Sequence, residues 1–128
     1  MQKPNQVFVF YAFKYGEAER HTQHILEQVN GATEVYRSPQ SLASRLKQAR
    51  HDIIVVVLAI DDEKELEQIL AFEDLLIGLP VIIVLNSTDS QLVNRCHRLH
   101  PRLVETDQDA IATEAILRSL YSKHMSQV

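Results

Sequence analysis

Two His-x-x-His pairs, His21 with His24 and His97 with His100, are the first residues in this chain whose types and spacing could do chemistry. Side chains three apart on a helix are neighbours, and imidazole suits zinc, copper or nickel. Each pair supplies two ligands, whereas a structural zinc takes four and a catalytic one takes three plus water. The single cysteine, Cys96, shares a helical spacing with Leu92 and Leu99, which reads as a small buried apolar side chain rather than a ligand. No metal and no cofactor is therefore expected. Lys14, just ahead of Gly16, is the other candidate: with the start of a helix it offers charge and N–H groups to a small anion. There is no G-x-G-x-x-G or Walker spacing around that lone glycine. Ser38 and Ser87 stand in turns without a G-x-S-x-G elbow, so no nucleophile is paired with a base and the chain reads as a non-enzyme.

The elements that must position these residues follow from the apolar spacing. Val7 to Phe10, Ile53 to Leu58 and Val81 to Leu85 are unbroken runs rich in Val, Ile and Phe, the pattern of strands covered on both faces. Glu34 to Tyr36 and Leu103 to Glu105 are weaker strands. A first helix carries Ala18, Thr22, Ile25 and Val29 on one face and stops near Asn30 and Gly31. A second opens at Ser38 and Pro39, a capping residue followed by proline at the first helical position, and turns Leu42 and Leu46 inward. A third follows Asp61 and Asp62, whose carboxylates suit a helix N-terminus. It buries Leu66, Ile69 and Leu70, and ends around Gly78 and Pro80. The fourth starts at about Asp89 and is stopped by Pro101; the fifth starts near Asp109 and buries Ala112, Ala115, Ile116 and Leu120.

Alternating β and α elements, five of each, require right-handed crossovers and a parallel sheet with helices on both faces. The expected architecture is a flavodoxin-like, three-layer α/β/α fold with strand order 2-1-3-4-5. In that order the first and fifth helices cover one face and the other three cover the opposite face. The two histidine pairs then lie on opposite sides of the sheet and cannot combine. At 128 residues one domain accounts for the chain, with a core from about residue 6 to residue 122. A formal charge of −4 disfavours an electrostatic grip on nucleic acid. The longest apolar runs are about eight residues, far short of the roughly twenty that a membrane helix needs. One cysteine and no basic-apolar leader ahead of Val7 point to a reducing cytoplasm.

Element order, together with the patterns "HDIIVVVL" and "GLPVIIVLNS", resembles the receiver domains of bacterial response regulators over nearly the whole chain. The resemblance implies a site at the carboxyl ends of the strands. In it, an acidic pair after the first strand and an acceptor Asp after the third hold Mg²⁺, while a Thr or Ser after the fourth and a Lys after the fifth bind the phosphoryl oxygens. Here the first strand ends in Tyr11 and Ala12, followed by Phe13 and Lys14, with no carboxylate. If Asp52 opens the third strand as in receivers, the acceptor position falls at Val57. Asn86 or Ser87 stands at the Thr position, and Glu105 with Thr106 replaces the Lys. Should the third strand run through Ile60, Asp61 or Asp62 becomes an atypical acceptor; otherwise both cap the third helix.

The expectation is a receiver-like protein-interaction module in bacterial signalling that does not take up phosphate, acting as a homodimer or docking a partner protein. By the same resemblance its docking face spans the fourth helix, fifth strand and fifth helix. That region carries Arg95, Arg98, Arg102, Glu105, Asp107, Asp109, Glu114 and Arg118. The alternative is a small anionic ligand held at Lys14.

Overall fold

The computed structural model describes residues 6–14, 16–30, 32–85, 89–105 and 111–126. In chain order the elements are β1 (Val7–Ala12), α1 (Glu17–Asn30), β2 (Thr33–Tyr36), α2 (Pro39–Leu46), β3 (Ile53–Ile60), α3 (Glu63–Leu70), β4 (Val81–Leu85), α4 (Ser90–Cys96), β5 (Leu103–Glu105) and α5 (Ile111–Ser126). Short 3₁₀ turns at Arg50–Asp52, Glu73–Leu76 and His97–Leu99 lead into β3, towards β4 and into β5 respectively. The strands form one parallel sheet in the order β2-β1-β3-β4-β5, as the alternation of elements requires.

Every residue of β1, β3 and β4 is buried. Side chains alternate between faces along a strand, and the core accordingly divides in two. Val9, Tyr11, Leu58, Ile60 and Ile83 pack with Leu42, Leu66, Ile69, Leu92 and Cys96 from α2, α3 and α4. Phe8, Phe10, Val57, Ala59 and Ile82 pack with Ile25, Leu26 and Leu117 from α1 and α5. Ser38 accepts the Ser41 N–H at 3.1 Å and Pro39 occupies the first turn of α2, as the capping pattern indicates.

Three local expectations are corrected. α3 ends at Leu70 rather than near Gly78 and Pro80, and a 3₁₀ turn follows. Carrying the 3.6-residue period past Leu70 would turn Glu73 towards the core and Leu75 away from it, so the chain leaves the helix there. In α5 the buried residues are Thr113 and Leu117, with Ile116, Leu120 and Tyr121 half-covered, while Ala112 and Ala115 are exposed. A Leu gains far more from burial than an Ala, and Leu117 sets the register. Finally, β1 and β3 each run two residues beyond their expected ends, to Ala12 and Ile60. Among the described residues no helix is long and apolar enough to cross a membrane.

Candidate functional site

Open parallel sheets bind ligands at the carboxyl ends of their strands, and the extra length of β3 decides what stands there. Its register with β1 pairs Tyr11 with Leu58 and Ala12 with Ala59, so the edge is formed by Ala12, Ile60 and the residues that follow. Val57 lies three residues short of that edge, fully buried against α1 and α5. The position proposed for a phosphate acceptor is therefore not at the edge; Asp61 is.

Alternation points Tyr11 towards α3, where its O–H donates to Glu65 Oε1 at 3.0 Å. The other oxygen, Glu65 Oε2, accepts the Asp61 N–H at 3.2 Å. Asp62 is the N-cap of α3, and its carboxylate accepts the Glu65 N–H at 2.9 Å. This is a capping box whose return bond reaches one residue further back than usual. Tyr11 is wholly buried and Glu65 nearly so. Burial, with the Glu65 charge beside it, pushes the Tyr11 phenol well above its ordinary value. Burial likewise raises the Glu65 carboxyl, assisted by the charges of Asp61 and Asp62, while the bonds from Tyr11 and the Asp61 N–H pull it back. Glu65 is absent from the candidates drawn from the sequence, although the Asp62-x-x-Glu65 spacing ahead of Leu66 is the capping-box signature that could have found it.

Lys14 is exposed at the same edge. The Gly16 N–H beside it donates to Glu19 Oε1 at 2.8 Å, and the first turn of α1 carries Glu17 and Glu19. A buried carboxylate thus already takes one of the N–H groups that an anion beside Lys14 would use, and adds negative charge to the helix start. At β5, Glu105 accepts from both the backbone N–H (3.1 Å) and the hydroxyl of Thr113, fastening the end of the strand to α5. Asn86, Ser87, Thr106, Asp107 and Asp109 lie outside the described residues.

The histidine pairs are exposed, and α1 and α4 pack on opposite faces of the sheet. Among the described residues no three His, Cys, Asp or Glu side chains gather in a metal-binding arrangement. Cys96 is buried, and burial pushes its thiol up to about 11.

The expected docking face is divided by internal pairing. Arg95 turns to α3, meeting Glu63 at 3.1 Å and Glu67 at 3.0 Å, which raises its pKa further. Arg98 pairs with Glu73 at 3.6 Å, and Arg118 with Glu114 at 3.0 Å on its own helix. Arg102 is exposed at the amino edge, where its backbone N–H donates to the Val81 carbonyl.

No protein-family model and no curated protein sequence matches the chain. Solved structures do. A protein described as pilus assembly-related, from Burkholderia pseudomallei, superposes with a TM-score of 0.67 at 13% identity, covering 95% of this chain and 93% of that one. The phosphorylated cyanobacterial phytochrome response regulator RcpA gives 0.66 at 15% identity, covering 96% of each chain. The Mn²⁺-bound form of response regulator Rcp1 gives 0.63 at 16% identity, again covering 96% of each. At such identities the likeness establishes the fold alone. The chain has the flavodoxin-like α/β architecture of response-regulator receivers.

Proposed function

We propose that the chain is a receiver-like protein-interaction module of bacterial signalling, working in the cytoplasm without taking up phosphate and without enzymatic activity. The observation that carries this reading is the Tyr11–Glu65–Asp61 bond set at the carboxyl edge. A receiver holds a divalent cation at that edge with carboxylates from the end of its first strand; here the strand ends Tyr11-Ala12-Phe13-Lys14. The donor set does not fit such a cation. Glu65 spends both oxygens on the protein's own O–H and N–H groups, and Asp62 spends one on the α3 cap. Hard cations need several oxygen ligands, and a neighbouring lysine opposes them. Glu105, at the end of β5, is likewise committed to Thr113.

Incubation with acetyl phosphate and Mg²⁺, followed by intact-mass measurement, tests the reading. The expected result is an unchanged mass. An adduct of phosphate mass that requires Mg²⁺ and is lost in Asp61→Ala would overturn it, and would make Asp61 the acceptor.

A further inference from the structure

At the amino edge of the sheet, two adjoining depressions share Gly78, Leu79 and Pro80 as a common wall. One, of about 270 Å³, is lined by Arg50, His51 and Lys123, with Ile53, Ile54 and Leu120 as its apolar part. The other, of about 260 Å³, is lined by His100 and Arg102. Among the described residues, every titratable side chain lining either one is basic, in a chain whose formal charge is −4. The acidic groups nearby are engaged elsewhere. Asp52 faces His51 at 3.4 Å, and Glu73, paired with Arg98 at 3.6 Å, lines a neighbouring cavity together with Asp74.

Basic residues at this edge have an ordinary explanation, since the helices point their carboxyl ends at it and cations suit those ends. That explanation covers Lys123, in the last turn of α5, but Arg50, His51, His100 and Arg102 stand in the connections beyond α2 and α4. Their placement is also costly. Among the described residues, left-handed backbone occurs at Ala49, next to Arg50, at Gly78 in the shared wall, and at His100 itself. Only glycine takes that conformation without a standing cost, and such strain gathers at ligand sites. Arg50 is held in place by donating to the Ile77 carbonyl at 2.7 Å. The exposed Arg102 guanidinium makes no ion pair among the described residues.

We propose that the two depressions form one site for a small molecule carrying two phosphoryl groups. One group lies among Arg50, His51 and Lys123; the other reaches Arg102 and His100 across Leu79 and Pro80. Guanidinium forks match phosphoryl oxygens in geometry, and a lysine adds a point charge. The site stands at the opposite edge of the sheet from Lys14 and goes beyond the interaction-module reading, neither needing the other. Exposed charges are screened by salt, so binding weakens as ionic strength rises.

Titration of isotope-labelled protein with inorganic pyrophosphate at low salt, followed by the NMR shifts of backbone amides, provides the test. Saturable shifts are expected at His51, Gly78, Leu79 and Arg102, and none there with sodium chloride at matched ionic strength. Arg102→Ala and Lys123→Ala each remove one charged donor from an exposed position, and spectra unchanged away from the site establish that each variant is folded. Each is expected to weaken binding about tenfold. Lys14→Ala is expected to leave it unchanged. A single-stranded oligonucleotide, which offers the same phosphate chemistry, is expected to compete poorly. The inference is overturned by an absence of saturable shifts, by the same shifts in sodium chloride, or by wild-type affinity in both Arg102→Ala and Lys123→Ala. Shifts confined to the carboxyl edge and lost in Lys14→Ala also overturn it, as does binding of the oligonucleotide in preference to pyrophosphate.

Discussion

At the carboxyl edge of the sheet, the Tyr11 hydroxyl, the Glu65 carboxylate and the Asp61 N–H are joined by hydrogen bonds, two of these residues being almost completely removed from water. At the amino edge, the connections are shaped mainly by backbone conformation. Ala49 has φ 44°, Gly78 φ 86° and His100 φ 52°, all in the left-handed region. Side chains tie that edge to backbone carbonyls as well, Arg50 donating to Ile77 at 2.7 Å and Asn30 to Gln6 at 2.9 Å. The same strands thus end at a buried side-chain network on one side and at left-handed turns on the other. A buried polar network holds an edge firmly only while every member is satisfied. Left-handed turns hold a shape at a standing cost that only glycine avoids.

The largest effect expected from this contrast is at Glu65. Glu65→Ala leaves a buried hydroxyl and a half-buried N–H without an acceptor, and a loss of about 2–3 kcal/mol in urea unfolding is expected. A change below about 0.5 kcal/mol, the range of ordinary surface substitutions, would mean the carboxyl edge is not held by this network. Tyr11→Phe alone should cost about 1 kcal/mol. Combined with Glu65→Ala it should add little, because both substitutions remove one shared bond; strict additivity would show the two residues to be uncoupled.

Smaller effects, of opposite sign, belong to the amino edge. Ala49→Gly relieves a left-handed alanine and should stabilise by up to about 1 kcal/mol, whereas Gly78→Ala should cost about as much. The space around Gly78 is open, so the backbone angle is all that an added Cβ contests. Two substitutions of the same sign would remove the contrast between the edges.

The smallest effect is a pH slope. The folded Glu65 carboxyl lies above its ordinary value of 4.5, so the folded state keeps a proton that the unfolded chain releases. The stability this confers is fully present below about pH 4.5 and is lost as pH rises through the folded value. Urea midpoints measured across the acid range should show that fall in the wild type and not in Glu65→Gln. Parallel profiles would mean that burial does not control this carboxyl.

The strand runs were legible because β1, β3 and β4 are covered on both faces and their residues hardly depart from Val, Ile, Leu and Phe. The division of helices between faces followed from element order alone. What escaped was longitudinal position. Ala12, Ala59 and Ile60 extend β1 and β3 past the ends expected for them, and Val57, counted five residues on from Asp52, lies inside β3 rather than at its edge. Leu26 and Leu117 escaped because neighbouring apolar residues offer more than one stripe on the same helix. The capping-box spacing marks Glu65 as a helix-start residue, but nothing in the local sequence says that it also receives a hydroxyl from Tyr11, which arrives from a distant strand. The pairing of Arg95 with α3 was hidden likewise, because the α3–α4 contact is tertiary.

β2 and β5, four and three residues long and only half-buried, flank the three fully covered strands. The outer rim of a sheet is a row of N–H and C=O groups that a foreign strand can copy, and very short rims are one way natural proteins blunt that invitation. At β2 the rim also carries the Glu34 carboxylate, held by Arg45 at 2.7 Å and by the Tyr36 hydroxyl at 2.8 Å. A sheet finished in this way offers little to recruit a stray chain sideways, so the protection of its long apolar strands from amyloid-like growth resides in the two weakest ones.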